Sequence, residues 1–270
     1  MSATEWAEAL RSWAIPPEIL EAAPESPYGF PVELFRHRAE DAHGRPPSPT
    51  LAEAAEALPK HGHLLDVGAG GGAASLPLAD RAGVITAVDS SAELLSEFLH
   101  AAGMSGVQAR AVEGSWPEVA PEVDVADVVV CSHVLYNVPD LDPFVVALND
   151  HASRRVVIEL TERHPLAWMN DLWLHFHGLT RPDRPSADTA VAALGALGFE
   201  VDRCDHFEIT SGAFRRREDA IALVRRRLCL SPDADQELAS MLGDRLDERD
   251  GLWWVGPPEQ ALTTLWWDRN

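Results

Sequence analysis

A short apolar segment that runs into a glycine-rich turn constrains the fold of this chain more than any other feature. Residues 64–72 read LLDVGAGGG, in which Asp66 ends the apolar run and glycines follow at positions 68, 70 and 72. The pattern predicts a buried strand, a tight turn and a helix that begins near Ala73. Glycine suits this turn because it tolerates positive φ and because a Cβ would block a ligand that approaches the backbone. The N–H groups at the start of the predicted helix would also face that ligand.

A second predicted strand ends in another acid. Val84–Val88 is apolar and is followed by Asp89, nineteen residues after Gly70. At this distance from a glycine turn, a carboxylate can accept hydrogen bonds from the two ribose hydroxyls of an adenosine. Asp66 would add a negative charge beside a cationic or hydroxyl-rich part of the same ligand. The sequence therefore predicts a nucleotide-type cofactor site.

Strands and helices alternate through the middle of the chain, which predicts right-handed crossovers and a parallel sheet. Near-continuous apolar strands such as VADVVVC at residues 125–131 indicate that this sheet is buried on both faces. The predicted elements are strand 63–67, helix 73–82, strand 84–88, helix 91–102, strand 107–112, strand 125–131, helix 141–152 and strand 154–160. The predicted fold class is α/β, a Rossmann-like, doubly wound sheet.

The two ends of the chain are predicted to add helices around this sheet. Residues 1–60 are interpreted as an N-terminal helical cap, with helices Glu18–Ala22, Val32–Ala42 and Thr50–Leu58. Residues 61–270 are interpreted as the main domain, with helical insertions around 162–190 and 215–248. The elements predicted after residue 160 are helices 164–178 and 186–197, strand 199–209, helices 218–230 and 234–246, and strand 261–267.

Composition excludes several classes of partner and chemistry. A net charge of −21 argues against nucleic acid or an anionic membrane surface as the main partner. No apolar run approaches the roughly 20 residues that span a bilayer, and the N-terminal residues lack the basic start of a secretory signal. Three cysteines with unpaired spacing indicate reduced thiols, so we expect a cytoplasmic protein. Lys60 is the one lysine among 22 basic residues, which suggests a GC-rich bacterial genome and argues against lysine-dependent phosphate loops.

Four segments carry a resemblance to a known family: LLDVGAGGG, VITAVDSS, EGSWP at Glu113–Pro117, and ADVVVCSHVLYNVPDL. In their order and spacing the chain resembles the class I S-adenosylmethionine-dependent methyltransferases, over roughly residues 50–160. The resemblance implies a seven-stranded, mostly parallel sheet that ends in an antiparallel hairpin, beneath a helical cap. It also implies S-adenosylmethionine as the cofactor and methyl transfer as the reaction.

The resemblance assigns residues to the two polar parts of the cofactor. The methionine part would meet the acid of the first strand and the backbone of the turn that follows, at Asp66, Gly68, Ala69 and Gly70. The ammonium of that part favours a nearby carboxylate. Asp89 would take the ribose hydroxyls, with Ser90 beside it.

The adenine and the reacting methyl would be bordered by the ends of the next two strands. Gly114, Ser115 and Trp116 would border the adenine, and Trp116 would add stacking worth about 1 kcal/mol. The family commonly has an aspartate at the position of Ser115, and a hydroxyl can accept the same hydrogen bond. Ser132 and His133 would face the methionine part and the methyl group.

His133 and Tyr136 are the candidate catalytic residues because reacting groups gather after the fourth strand of such sheets. The imidazole of a histidine can remove a proton from a hydroxyl or amine near neutral pH. Alternatively, His133 only packs beside the cofactor, since alignment of the nucleophile, the methyl and the sulfur can carry much of the reaction. A structural role is the alternative for Tyr136. Tyr28, Arg36 and Arg38 are candidate cap residues near the cofactor.

No metal site is predicted. Positions 175 and 177 of a helix diverge by about 200°, so His175 and His177 cannot easily share one ion. Asp171 and His175 could, but two ligands do not make a site.

Two other functions remain open from the sequence. The segment GAGGGA also fits the glycine pattern of a nicotinamide-dependent oxidoreductase. A non-catalytic protein with this fold would bind an adenosyl ligand without consuming it. The expected partner is a small-molecule methyl acceptor, and the protein would be a monomer or a homodimer.

Overall fold

The computed structural model describes residues 3–28, 47–209 and 213–269 of the 270-residue chain. Its strands are β1 (Gly62–Val67), β2 (Ala82–Asp89), β3 (Gln108–Glu113), β4 (Ala126–Ser132), β5 (Ala152–Thr161), β6 (Asp202–Ile209), β7 (Leu246–Arg249), β8 (Leu252–Val255) and β9 (Glu259–Asp268). Its α-helices are α1 (Ala3–Arg11), α2 (Pro17–Ala22), α3 (Pro49–Ala57), α4 (Ala92–Ser105), α5 (Leu141–Asp150), α6 (Asn170–His177), α7 (Ala187–Ala196), α8 (Arg217–Arg227) and α9 (Asp235–Leu242). The predicted helix Val32–Ala42, with Arg36 and Arg38, lies outside the described residues.

Seven strands form one sheet in the order β3-β2-β1-β4-β5-β9-β6. Neighbouring strands from β3 to β5 pair in parallel, and β9 pairs antiparallel with both β5 and β6. These pairings confirm the predicted α/β fold with a seven-stranded, mostly parallel sheet. The chain moves outward from β1 to β2 and β3, and then returns to place β4 on the other side of β1. In open sheets of this kind a ligand crevice forms at the carboxyl ends of the strands where the order reverses, here β1 and β4.

The central strands are apolar because helices cover both faces of the sheet. Residues 128–131 of β4 are completely buried. One apolar cluster lies on the face covered by α1, α5 and α7, and a second lies on the face covered by α3 and α4. Since α3 packs against β4, β5 and β9, it belongs to the layer that covers the sheet.

The predicted helix 73–82 is wrong. The chain there forms successive turns and one short 3-10 segment, Leu76–Leu78. Pro77 explains the difference because it has no N–H to donate to the carbonyl of residue 73, and its ring would clash with that carbonyl. The turns are closed instead by Gly72 N–H to Ala69 O at 2.8 Å and Leu76 N–H to Gly72 O at 2.9 Å. The glycine loop therefore does not open into an α-helix.

Helices α6, α8 and α9 share a third apolar cluster with the β7–β8 hairpin. Two predicted helices are shorter than expected. The segment predicted as helix 164–178 begins as a 3-10 turn, and its α-helix starts at Asn170. The helix predicted over 234–246 ends at Leu242, before Gly243 at φ +52°, and the chain continues into β7. Among the described helices, none is long and apolar enough to cross a membrane.

Candidate functional site

The loop after β1 is held tightly against the ends of two neighbouring strands. Gly68 and Ala69 both donate their N–H groups to Val88 O, at 2.8 and 3.1 Å, which fixes the loop to the end of β2. Gly68 lies at φ +74°, and a Cβ there would come within 2.3 Å of Val134 Cγ2. Glycine is required because the backbone is left-handed and because the segment after β4 approaches so closely.

Asp66 is a buried acid with unused hydrogen-bonding capacity. It is the penultimate residue of β1, is 1% exposed, and neither carboxylate oxygen has a hydrogen-bond partner within the described part of the chain. Burial, with a smaller contribution from the charge of Asp89, raises the pKa of Asp66 to about 7. The Ser75 hydroxyl is near enough to oppose part of that rise, although it does not form a hydrogen bond with either oxygen. An isolated buried carboxylate is unfavourable, so this group is suited to a cationic ligand.

Asp89 is oriented by the backbone around it. Its Oδ2 accepts the Gly70 N–H and its Oδ1 accepts the Ser91 N–H, both at 2.9 Å. Its own carbonyl accepts the Gly114 N–H at 2.9 Å, which joins the end of β2 to the end of β3. Because a carboxylate offers about four acceptor positions, two remain for a ligand.

The segment after β3 contributes a tight turn and one core residue. Gly114 lies at φ +154°, and a Cβ there would meet Val119 Cγ1 at 2.1 Å. Ser115 is exposed beside it, as is Ser90 after β2. Trp116 is only 9% exposed, and its indole N–H donates to Phe144 O at 3.2 Å. Its ring therefore belongs mainly to the core, and adenine stacking by Trp116 stays a prediction.

His133 follows β4 and contacts a buried acid of β5. It lies in the left-handed region at φ +62°, and its Nε2 lies 3.2 Å from Glu159 Oε1. The other carboxylate oxygen of Glu159 accepts the Thr50 hydroxyl at 2.5 Å. Burial alone would raise the pKa of Glu159, but His133, Thr50 and His206 outweigh it and lower that pKa below its ordinary value. The buried acid therefore carries a charge that can orient His133.

Ser132 and Tyr136 differ in how they are placed. The Ser132 hydroxyl is buried and has no partner in the ranges that the structure describes. Tyr136 is buried, donates its hydroxyl proton to Thr161 O at 2.7 Å and stacks on Trp6. Burial raises the pKa of Tyr136 above its ordinary value. These contacts favour the structural alternative for Tyr136, and its catalytic role stays a prediction.

Glu159 is a residue of the site that was not predicted from the sequence, although the sequence contains a signal for it. It is the only acid in the apolar strand segment VVIELT at residues 156–161. An acid in a strand buried on both faces needs a partner or a function. Its neighbours Thr50 and Thr264 gave no such signal because threonine is common in strands and at helix starts.

The comparisons agree with this geometry. A family model described as a methyltransferase domain matches residues 35–203, more than half of the chain. The chain belongs to this family, which confirms the predicted class, an S-adenosylmethionine-dependent methyltransferase.

Solved structures with the same fold share little sequence with this chain. A provisionally assigned methyltransferase of Bacillus halodurans is 16% identical with a TM-score of 0.53, over 81% of this chain and 96% of that one. The YcgJ protein of Bacillus subtilis is 14% identical with a TM-score of 0.51, over 86% and 99%. A cyclopropane-fatty-acyl-phospholipid synthase-like protein of Lactobacillus casei is 16% identical with a TM-score of 0.51, over 92% and 97%. At these identities the likeness shows the fold. No match was found among curated proteins.

Proposed function

We propose that this protein transfers the methyl group of S-adenosylmethionine to a small-molecule acceptor in the bacterial cytoplasm. The observation that carries the proposal is the buried carboxylate of Asp66 beside a glycine loop, which has no hydrogen-bond partner among the residues that the structure describes. Asp89 supports it, since that acid is oriented at the end of the adjacent strand with acceptor positions to spare. The unpaired cysteines, of which Cys131 and Cys229 are buried, support a reducing compartment.

The residues of the crevice fit this cofactor. The carboxylate of Asp66 would pair with the ammonium of the methionine part, which would relieve the penalty of its burial. Asp89 would accept the ribose hydroxyls while Gly70 and Ser91 hold it in place. Gly68 would keep the loop in position for the ligand, because the absence of a Cβ lets Val134 pack against the loop. When bound, S-adenosylmethionine supplies a methyl group on a sulfonium that is already an activated leaving group.

His133 is proposed as the base that accepts a proton from the acceptor. With its Nε2–H directed to Glu159 Oε1, the neutral ring would carry its lone pair on Nδ1. Glu159 would then act as a positioning residue that fixes the tautomer and stabilises the protonated ring. The alternative is that His133 only packs beside the cofactor and the crevice works by alignment.

Methyl transfer itself can be tested without a known acceptor. The purified protein is incubated with methyl-labelled S-adenosylmethionine and the small-molecule fraction of a bacterial extract, and label is expected in extract compounds. Binding of S-adenosylhomocysteine without any label transfer would instead indicate a non-catalytic binding protein. Tighter binding of NADH than of S-adenosylhomocysteine would indicate an oxidoreductase.

Replacing Asp89 with alanine is expected to weaken S-adenosylhomocysteine binding by about 1.5–3 kcal/mol, through loss of charge-assisted hydrogen bonds to the ribose. Calorimetry on the purified variant measures this loss. The exposed acid Asp80, in the turn before β2, provides the control variant Asp80→Ala, for which no change is expected. Equal affinities of the parent and the Asp89→Ala variant would remove Asp89 from the site.

Replacing His133 with alanine is expected to slow label transfer by about 100-fold if the imidazole is the base. The affinity for S-adenosylhomocysteine should change little because the ring acts on the acceptor. The control variant is His100→Ala, which also removes an imidazole but at an exposed position of α4. Transfer within about threefold of the parent would show that alignment alone carries the reaction.

A further inference from the structure

A cluster of side chains that could bind a metal lies beside His133, and none of its members is among the residues proposed above for cofactor binding. Glu159, His206 and Glu208 each present one ligand atom, and these atoms all lie within 4.8 Å of one another. The His206 Nε2 lies 3.9 Å from Glu159 Oε2 and 3.7 Å from Glu208 Oε1. These separations are too long for hydrogen bonds. They leave room for an ion among the three atoms.

The register of the sheet brings these residues together from distant parts of the sequence. In the antiparallel arrangement Glu159 of β5 is opposite Thr264 of β9, which is opposite Cys204 of β6. Side chains two residues apart on a strand share a face, so His206 and Glu208 project on the same face as Glu159. The cluster therefore lies at the reaction edge of the sheet, next to the residue that follows β4.

His206 is the member whose state is unexplained. Its side chain is 11% exposed, and neither ring nitrogen has a hydrogen-bond partner among the residues described. A neutral imidazole carries one N–H donor and one acceptor, and leaving both unsatisfied in a buried position is unfavourable. A cation on Nε2 would satisfy that nitrogen and would lie between two carboxylates, those of Glu159 and Glu208.

We propose that Glu159, His206 and Glu208 bind one divalent first-row transition cation, of which Zn²⁺ is the representative. A point equidistant from three atoms with these separations lies about 2.5 Å or less from each, near the roughly 2.0–2.2 Å of zinc bonds to nitrogen and carboxylate oxygen. One imidazole with two carboxylates and no thiolate suits Zn²⁺ or Mn²⁺. Three protein ligands leave a coordination position open for water or for an oxygen of the acceptor.

The surroundings of Glu159 resemble the supporting shell of a metal ligand. Its Oε1 contacts His133 Nε2, and its Oε2 accepts the Thr50 hydroxyl, which in turn lies 2.7 Å from the Thr264 hydroxyl. Hydrogen bonds of this kind orient ligating carboxylates and raise affinity for the ion. No metal is predicted from the sequence because Glu159 is distant along the chain from His206 and Glu208, and their strands are brought together only by the pairing with β9.

The test is metal binding by the full-length protein, which requires neither cofactor nor acceptor. After removal of metals with a chelator, the protein is titrated with Zn²⁺ by calorimetry and with Co²⁺ by visible absorption. One equivalent is expected to bind in the micromolar range or tighter, and His206→Ala should weaken binding by at least about tenfold. Glu208→Gln, at the more exposed edge of the cluster, should weaken metal binding similarly. It is the substitute test if circular dichroism shows that His206→Ala does not fold.

The matched control is His175→Ala on α6. His175 also contacts a glutamate, with Nε2 2.7 Å from Glu237 Oε1, but that pair is exposed. The structure describes no third ligand there. The His175→Ala variant should therefore still bind one equivalent of metal. The proposal is overturned if the parent binds no stoichiometric metal, or if the parent, His206→Ala and Glu208→Gln bind it equally.

Discussion

Asparagine in place of Asp66 is expected to stabilise the cofactor-free protein above neutral pH and to weaken cofactor binding at the same time. Burial raises the pKa of Asp66 to about 7, and the charge of Asp89 adds to the rise. The folded protein therefore holds an unfavourable charge once Asp66 ionises. Asparagine has nearly the same shape and no charge, so it removes this penalty.

The direction of the pH dependence follows from the two states. In the unfolded chain Asp66 ionises near 3.8, whereas in the folded chain it stays protonated until about pH 7. Between these values a rise in pH favours unfolding by about 1.4 kcal/mol per pH unit, so stability present at low pH is lost by neutrality. We expect the asparagine variant to be more stable than the parent by about 2–4 kcal/mol at about pH 8, and by far less at about pH 4. Urea unfolding at both pH values measures the difference. A gain that does not vary with pH would contradict the assignment.

Cofactor binding should move in the opposite direction. Removing one partner of a buried ion pair is expected to cost about 2–4 kcal/mol of affinity for S-adenosylhomocysteine. The affinity of the parent should rise as pH approaches 7, because binding requires the ionised carboxylate, and that of the variant should not. Asp80→Asn, which removes an exposed acid, is the control for both measurements. Unchanged affinity in Asp66→Asn would show that the ammonium binds elsewhere.

The parts of this site that could be predicted from the sequence are those set by local order along the chain. Asp66 and Asp89 lie at the carboxyl ends of β1 and β2, and carboxyl ends of parallel strands meet at one edge of the sheet. Alternation of strands and helices likewise predicts the sheet without any knowledge of contacts. The helix predicted at 73–82 rested on the strand, turn and helix order of the glycine motif, and it is wrong because Pro77 lacks the N–H that a helix would need there.

The parts that could not be predicted depend on contacts between distant segments. Glu159 and His206 approach because β9, at the end of the chain, inserts between their strands. One residue of slippage in either pairing would move His206 to the other face, and the sequence does not specify that register. The burial of Trp116 is of the same kind, since it depends on α5 supplying Phe144 O.

Alanine in place of Gly68 is expected to have the second large effect. The new Cβ would lie 2.3 Å from Val134 Cγ2, and the residue must keep φ +74°. The left-handed backbone costs about 1–2 kcal/mol for a residue with a side chain, and overpacking adds about 1–3 kcal/mol. We expect Gly68→Ala to lower the free energy of unfolding by about 2–5 kcal/mol. Because the loop must shift, S-adenosylhomocysteine should also bind at least about tenfold more weakly. Urea unfolding and calorimetry measure the two effects.

Two further variants separate the cost of the left-handed backbone from the cost of the contact with Val134. Gly106 lies at φ +73°, nearly the same conformation, but a Cβ there would meet no atom of the described residues within 4 Å. Gly106→Ala should therefore show the backbone cost alone, with cofactor affinity unchanged. Adding Val134→Ala to Gly68→Ala removes the methyl group that the new Cβ would contact. This double variant should bind the cofactor more tightly than Gly68→Ala does, even though Val134→Ala by itself removes packing. If Gly68→Ala and Gly106→Ala bind the cofactor with equal affinity, the proposal that the cofactor lies against this loop is wrong.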